Sequence, residues 1–194
     1  MDLLCRDKYI PNPFRPSNTE TDTLVVYVSS VTLQPKGTSM SGGNTAVVAQ
    51  MIEEKTKVDI FEIISDDGHY PSDFDLLQKV AKFELSQNSR PKYVGNVPNL
   101  SKYKNIFVGG PAWYMHFPMP MYTFLEENDL SGKTIIPFDT YVGSGLSGID
   151  SSIKKSCPKS KVISGIAIIG EDAKKNPKGV REQLNSFLLK LGFK

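Results

Sequence analysis

The sequence predicts an α/β fold: a three-layer sandwich in which one five-stranded parallel sheet carries helices on both faces. Three observations lead to this prediction. Five short apolar runs recur along the chain, as expected of strands that are buried on both faces. Segments with apolar residues at helical spacing follow these runs. At 194 residues, the chain also has a suitable length for one such domain.

The first residues do not share this alternation. They contain Pro11, Pro13 and Pro16 together with Asn and Ser, a composition that disfavours helices and central strands. We therefore predict an extended N-terminal arm at residues 1–22, which could cross a neighbouring subunit. A single domain follows at residues 23–194.

The first half of the domain alternates two strands with two helices. Nearly continuous apolar runs predict strands at 24–28 and 58–64, and the segment between them, 44–55, has apolar residues on one helical face. The second helix is predicted to begin at Ser72, whose hydroxyl is a suitable N-terminal cap. It then carries four residues at helical spacing, which are Leu77, Val80, Ala81 and Glu84.

The second half continues the alternation. The predicted strands are at 106–108, 133–138 and 162–169, and the predicted helices are at 120–127, 146–155 and 176–191. Right-handed crossovers permit few strand orders, of which we predict 2-1-3-4-5. In such a sheet, ligands bind beyond the carboxyl ends of the strands, near the reversal of the order. The loops after strands one, three and four should therefore line one crevice.

The loop after the first strand is rich in small hydrogen-bonding residues. It runs from Ser29 to Gly43 and opens into a helix at Asn44 and Thr45. Free N–H groups and the helix dipole make such a helix start an anion site. The loop lacks the Gly-Lys-Ser/Thr ending of a nucleoside-triphosphate P-loop, so it favours a phosphate monoester. A helix cap with a flexible turn is the structural alternative.

The loop after the third strand is aromatic. The run 109–118 carries Trp113, the only tryptophan, with Tyr114, Met115 and Phe117 between prolines. Because loops are usually exposed and polar, these side chains either anchor the loop in the core or present flat surfaces to a ligand. The loop after the fourth strand, read as starting at Asp139, adds glycines, hydroxyls and a further aromatic ring.

In combination, these motifs resemble the flavodoxin-like flavoproteins, of the flavodoxin and NAD(P)H-dependent FMN reductase type. The matching stretches are 43–45, 110–114, and 132–138 leading to Thr140 and 143–145, with Tyr70-Pro71, Arg90-Pro91 and 124–126 at similar spacing. The resemblance implies a flavodoxin-like fold and flavin mononucleotide (FMN) as the cofactor.

The resemblance also implies three groups of cofactor-binding residues. The group around the phosphate comprises Ser29, Ser41, Gly43, Asn44 and Thr45. The group flanking the isoalloxazine comprises Pro111, Ala112, Trp113 and Tyr114. The group at the other rim of the ring comprises Thr140, Tyr141, Gly143 and Gly145. No side chain is assigned as a catalytic acid, base or nucleophile, and His116 is left outside the site.

The implied function is electron transfer or the activity of a small oxidoreductase. A redox protein or a small acceptor such as a quinone would be the partner, and NAD(P)H and a homodimer are open possibilities. The segment 30–41 is an insertion relative to the compact phosphate loop of the family. The net charge of +2 differs from the acidic character of carrier flavodoxins, which favours a reductase over a pure electron shuttle.

Two other interpretations stay open. The segment 143–148 matches G-x-G-x-x-G after a strand, with Glu171 after the next strand, which would suit a dinucleotide. The helix that follows it is short and polar, however, and only one more strand remains. The second interpretation is a domain of this architecture that lacks a cofactor and serves as an interaction module. A receiver domain is excluded because the strand ends lack an acidic cluster, and a serine hydrolase because no G-x-S-x-G occurs.

Composition excludes several further classes. The small net charge, without a basic stripe, argues against nucleic-acid binding. Cys5 and Cys157 form no disulfide framework and fit a reducing compartment, which predicts a cytoplasmic location. His69 and His116 have no metal-ligand spacing with them. No apolar run is long enough to cross a bilayer, and the N-terminus lacks the features of a signal peptide.

Overall fold

The computed structural model describes residues 13–29, 43–65, 70–71, 73–143, 145–146 and 148–193. Its strands are β1 (Phe14–Arg15), β2 (Thr23–Val28), β3 (Asp59–Ser65), β4 (Tyr93–Val94), β5 (Asn105–Pro111), β6 (Thr134–Tyr141), β7 (Lys161–Val162) and β8 (Ile166–Ile169). Its α-helices are α1 (Asn44–Thr56), α2 (Phe74–Ser86), α3 (Met119–Glu127), α4 (Ile149–Ser156), α5 (Asp172–Lys175) and α6 (Pro177–Lys190), and a 3₁₀ turn covers Leu100–Lys102.

The central strands are parallel and follow the order β3-β2-β5-β6, with β7 and β8 beside β6. Numbered as the five predicted strands, this order is 2-1-3-4-5, so the predicted α/β fold and strand order are confirmed. Every residue of β2 is buried, because the strand lies inside the sheet and has a helical layer on each face.

The sheet separates two apolar cores. On one face, α3 packs on β2 and β3 and α4 packs on β7, with Met121, Phe124 and Ile153 in the apolar core. On the other face, α1 and α6 pack on the same sheet, with Ile52 and Leu184 among the buried residues. Strand residues alternate between the two cores, as the two-residue period of a strand requires.

The sheet has additional short strands that the sequence did not predict. Phe14 and Arg15, from the predicted N-terminal arm, pair antiparallel with Phe61 and Ile60 of β3. The two residues of β4 pair antiparallel with the other end of β3. Residues 1–12 of the arm lie outside the described residues.

The last predicted strand is split into β7 and β8. Both segments pair with β6, but Pro137 lies between the residues of β6 with which they pair. Proline has no N–H for the ladder, and a Cβ on Gly165 would overlap the Pro137 carbonyl group. A continuous strand was therefore a wrong prediction at 163–165, and this local packing explains the difference.

Helix α2 begins two residues later than the predicted cap. Asp73 is the N-cap, and its carboxylate accepts a hydrogen bond of 2.9 Å from the N–H of Leu76. Ser72 itself lies outside the described residues. None of the helices in the described ranges combines the length and the apolarity needed to span a membrane.

Candidate functional site

The loops predicted to form the site begin at adjacent strand ends. Tyr27 of β2 lies opposite Gly109 of β5, and Pro111 of β5 lies opposite Thr140 of β6. These three strands end at the same edge because they are parallel. The loops after the first, third and fourth predicted strands therefore start side by side, as expected from the strand order.

The first N–H groups of α1 lack acceptors among the residues that the structure describes. Gly43 precedes the helix, is buried, and has no side chain to cap it. The Ser29 hydroxyl accepts a hydrogen bond of 3.2 Å from the N–H of Ala46. Within the described residues, no acceptor is hydrogen-bonded to the N–H groups of Asn44 and Thr45. Ser41 and the rest of 30–42 lie outside the described residues.

A buried hydrogen bond joins the two ends of the site. The hydroxyls of Thr45 on α1 and Thr140 on β6 are 2.7 Å apart, and both residues are at most 5% exposed. The same Thr140 accepts a backbone hydrogen bond of 3.0 Å from Ala112. Thr140 thus connects the helix start, the aromatic loop and β6.

A fourth strand end, which the sequence analysis missed, closes this edge. The Gly170 N–H donates a hydrogen bond of 2.8 Å to the carbonyl of Tyr141. A Cβ on Gly170 would lie 2.9 Å from Nδ2 of Asn44, so the absence of a side chain lets Asn44 approach. The glycine directly after the last apolar run was the available signal.

The aromatic loop is a tight two-residue turn. Trp113 and His116 exchange two backbone hydrogen bonds, of 2.8 and 3.0 Å. Tyr114 and Met115 between them have φ values of 52° and 63°. Two successive positive φ values define a type I′ turn, which Asn and Gly favour. Tyr and Met adopt this conformation at a cost, a form of strain that concentrates at functional sites.

The side chains of this turn divide between two roles. Phe117 is buried and anchors the loop, whereas Tyr114 and Met115 are 43% and 53% exposed. Trp113 is half-buried and meets the Tyr70 ring edge to face, with ring centroids 5.2 Å apart. The loop therefore combines a core anchor with exposed side chains at its tip, and the presentation of flat surfaces to a ligand stays a prediction.

Tyr70 is itself held in place. Its hydroxyl donates a hydrogen bond of 2.8 Å to Oε2 of the buried Glu84, and burial and the charge of Glu84 raise the pKa of Tyr70. Tyr114 donates a hydrogen bond of 3.1 Å to Oε1 of Gln78, also on α2. Helix α2 thus supports two rings of the aromatic loop region.

The segment after β6 is more open. Tyr141 is half-buried, and a Cβ on Gly143 would meet no atom of the described residues within 4 Å. Gly145 has a φ of +55°, and Gly148, at +83°, lies beside the carbonyl of Met115. Ser144 and Ser147 lie outside the described residues. The last glycine of the segment thus brings this loop next to the aromatic turn.

Strand β6 extends three residues beyond its predicted end, and the loop does not begin at Asp139. Asp139 lies in the strand with no exposed surface, and neither carboxylate oxygen has a hydrogen-bond partner among the described residues. Burial and the nearby charge of Asp150 raise the pKa of Asp139 to about 7. The available signal was a charged residue at the end of an otherwise apolar run, a pattern that also predicts the start of a turn.

Other predicted features have structural explanations. Arg90 makes a bidentate ion pair with Glu126, at 2.6 and 2.7 Å, which joins the segment after α2 to α3. The His116 ring packs edge to face against Tyr122, and burial followed by the charge of Lys155 lowers the pKa of His116. Within the described residues, no three His, Cys, Asp or Glu side chains form a candidate metal site.

The dinucleotide interpretation is disfavoured by the start of α4. That helix begins at Ile149, after the third glycine of the motif, and has only eight residues. In the dinucleotide fingerprint, the third glycine allows close packing between helix and strand. Here Gly148 instead faces the carbonyl of Met115. Glu171, proposed as the ribose ligand, is paired with Lys175 at 2.6 Å.

Comparisons with known proteins agree with this architecture. The family model described as flavodoxin matches residues 37–183. A solved candidate flavoprotein from Bacteroides uniformis is 28% identical, with a TM-score of 0.64 over 82% of this chain and 99% of that one. A flavoprotein from Lactobacillus acidophilus, solved in complex with FMN, is 18% identical, with a TM-score of 0.63 over 82% and 99% of the two chains. Comparison with curated protein sequences gave no match.

The fold and the arrangement of the strand ends define an open α/β protein of the flavodoxin-like class. The family model covers well over half of the residues. The chain belongs to the flavodoxin family, and the family prediction made from the sequence is confirmed. The predicted cofactor, FMN, agrees with this membership.

Proposed function

We propose that this protein binds FMN at the edge formed by β2, β5 and β6 and acts in electron transfer or as a small flavin-dependent oxidoreductase. The observation that carries the proposal is the Thr45–Thr140 hydrogen bond, because it fixes the start of α1 beside the strand that leads into the third loop. Family membership and the FMN found in a protein of the same fold support the choice of cofactor.

The phosphate would bind at the start of α1. The N–H groups of Asn44 and Thr45 have no acceptor within the described residues, and the positive end of the helix dipole lies at the same point. Gly43 has no side chain to obstruct an approaching anion. Ser29 supports this arrangement through its hydrogen bond to the N–H of Ala46, and Ser41 stays a predicted ligand.

The isoalloxazine would bind between the aromatic turn and the loop after β6. Trp113 is the candidate for stacking, since its indole is half-buried and held edge-on by Tyr70. The exposed rim of Tyr114 and the half-buried Ala112 would limit access of water on that side. The open backbone at Gly143 and Gly145 offers space for a planar ring.

Bound FMN would supply the redox chemistry, in one- or two-electron steps. The residues of this chain would bind, orient and shield it. Aromatic surfaces and restricted water access disfavour extra negative charge on a bound ring, whereas backbone N–H groups near its edge favour it. The balance between these effects determines the reduction potential.

The reductase form of the proposal is favoured over a pure electron shuttle. The net charge is slightly positive, which does not match the acidic surface expected of a carrier. We propose a quinone-type acceptor or a redox protein as partner, with NAD(P)H as a candidate donor. A cytoplasmic location and a possible homodimer stay predictions from the sequence.

Titration of the purified protein with FMN and riboflavin tests the proposal. We expect FMN to bind at least about a hundredfold more tightly, since hydrogen bonds to a charged group contribute about 1.5–3 kcal/mol each. Equal affinities would remove the anion site from the proposal. A protein that binds neither flavin would support the alternative, an interaction module without a cofactor.

The Trp113→Ala variant tests the position of the ring. We expect this variant to bind FMN more weakly, with a loss of about 1–3 kcal/mol in binding free energy, which is the range for loss of an aromatic stacking partner. Phe83→Ala is the matched control, because Phe83 is 64% exposed on α2 and is assigned no contact with FMN. An equal effect of both variants would contradict the assignment of Trp113.

A further inference from the structure

Glu84 is a buried carboxylate on a helix whose other charged side chains are exposed. In α2, Asp75, Lys79 and Lys82 are exposed, whereas Glu84 is only 4% exposed. A carboxylate in the interior lowers stability unless it accepts hydrogen bonds. Oε2 of Glu84 accepts one of 2.8 Å from the hydroxyl of Tyr70, which belongs to the segment before the helix. The role of this buried charge therefore depends on what Tyr70 contacts.

Tyr70 connects Glu84 with the aromatic turn. Its hydroxyl donates to Glu84, and a hydrogen bond with the backbone of Met119, the first residue of α3, acts on the same hydroxyl. Burial and then the charge of Glu84 raise the pKa of Tyr70, so the hydroxyl keeps the proton that it donates. The Tyr70 ring meets the indole of Trp113 at 82°, with ring centroids 5.2 Å apart. Because a phenol is rigid, the bonds that fix its hydroxyl also fix the ring beside the indole.

The backbone determines only part of the orientation of the indole. Two hydrogen bonds between Trp113 and His116 close the turn and fix the backbone at both residues. The two side-chain torsions of Trp113 are determined by the contacts of the indole, and this side chain is only half-buried. The perpendicular contact with the Tyr70 ring is one that restricts these torsions.

We propose that Glu84 is a positioning residue for FMN binding, which acts through the hydroxyl of Tyr70 to hold the Trp113 indole in the orientation that stacks on the isoalloxazine. This inference rests on the proposed FMN site, and Glu84 itself is assigned no contact with the cofactor. An indole that is ordered before FMN binds loses less conformational entropy on binding. A carboxylate suits this role, because its hydrogen bond with a hydroxyl is stronger than one between neutral groups.

The first part of the experiment needs no flavin, because Trp113 is the only tryptophan of the chain. Its near-ultraviolet circular dichroism and the acrylamide quenching of its fluorescence therefore report on this indole alone. We expect Tyr70→Phe to reduce the indole dichroism and to increase quenching, and Glu84→Leu to do the same. Glu84→Gln keeps an acceptor oxygen for the Tyr70 hydroxyl and should retain most of both signals. Unchanged signals in Tyr70→Phe, or equal losses in Glu84→Gln and Glu84→Leu, would overturn the proposal.

Tyr103→Phe is the matched control. The Tyr103 hydroxyl donates a hydrogen bond of 2.6 Å to the buried carboxylate of Asp59, so the variant removes a contact of the same kind. Tyr103 and Asp59 lie at the amino ends of β5 and β3, at the opposite edge of the sheet from the candidate site. The Trp113 signals should therefore stay unchanged. A loss equal to that in Tyr70→Phe would show general loosening of the fold and overturn the specific role of Glu84.

The second part measures FMN dissociation constants of the unmodified protein, Tyr70→Phe, Trp113→Ala and the double variant. We expect Tyr70→Phe to weaken binding roughly twofold to tenfold, which corresponds to the cost of ordering one side chain on binding. In the Trp113→Ala background it should have no further effect, because Tyr70 acts through the indole. An equal loss in both backgrounds would overturn this route. Absence of FMN binding in all four proteins would overturn the proposed function and the role in FMN binding with it, whereas the flavin-free signals would still decide whether Glu84 orients Trp113.

Discussion

A double-mutant cycle on Thr45 and Thr140 tests the contact that joins the two ends of the site. Their hydroxyls are 2.7 Å apart, and both side chains are buried. Replacing either residue by Val keeps the shape and leaves the other hydroxyl without a partner. The cost of one unsatisfied buried hydroxyl is about 1–3 kcal/mol in the free energy of unfolding.

The double variant should be less affected than the two single variants together. When both hydroxyls are replaced by methyl groups, no unpaired polar group stays behind, so the change can be nearly neutral. We therefore expect a coupling energy of about 1–3 kcal/mol between Thr45→Val and Thr140→Val. Urea unfolding of the flavin-free forms measures it, provided that the denaturant dependence is equal in all four proteins.

Thr56→Val supplies the matched control. Thr56 lies at the other end of the same helix, where its hydroxyl donates to the carbonyl of Ile52. Its effect should add to that of Thr140→Val. The coupling would be refuted if the effects of Thr45→Val and Thr140→Val on the free energy of unfolding also added to within about 0.5 kcal/mol in the double variant. If the contact also positions the phosphate site, both single variants at Thr45 and Thr140 should bind FMN more weakly.

Three further predictions concern stability. The raised pKa of Asp139, about 7 against an ordinary 3.8, means that the folded state retains a proton that the unfolded state loses between these values, so stability should fall as pH rises through that window. Asp139→Asn should abolish up to about 4 kcal/mol of this fall, and equal pH profiles in urea unfolding would contradict the assignment. Gly109→Ala should lower the free energy of unfolding by about 3 kcal/mol, because its Cβ would enter the Phe138 ring. Gly143→Ala should change it by no more than about 0.5 kcal/mol, because there is open space at Gly143. Thermal unfolding of the two variants compares these effects. Met115→Gly should stabilise the flavin-free protein by about 0.5–1 kcal/mol by relieving a φ of +63°, and a loss of stability would show that side-chain contacts outweigh the strain.

The fold was predictable because the central strands are buried on both faces. A short, continuously apolar run such as Leu24–Val28 is typical of a strand inside a parallel sheet. When five such runs alternate with helices, the right-handed crossovers permit only a few strand orders in the sheet. The short antiparallel strands were not predictable in this way. Phe14 and Arg15 pair through backbone groups and leave no repeating side-chain pattern.

The candidate site was predictable in outline for a different reason. Glycines, hydroxyls and aromatic residues are concentrated after three of the predicted strands, so they indicated the three loops, which start side by side in the structure. What the sequence could not provide is pairing. The Thr45–Thr140 contact spans 95 residues, and the burial of Asp139 depends on how far β6 extends before it turns. The cap of α2 is a further example: Asp73 and the predicted Ser72 are both suitable N-cap residues, and only the folded structure shows that Asp73 accepts the hydrogen bond from Leu76.

The short strands at both borders of the sheet restrict how two copies of this protein could associate. On one side, the two residues of β1 and of β4 cover parts of β3; on the other, Pro137 separates β7 from β8. Among the described residues, neither border offers a long, regular row of unpaired backbone groups that another chain could extend. A dimer of this chain would therefore have to use helix surfaces and loops, leaving the backbone ladder of each subunit complete in itself.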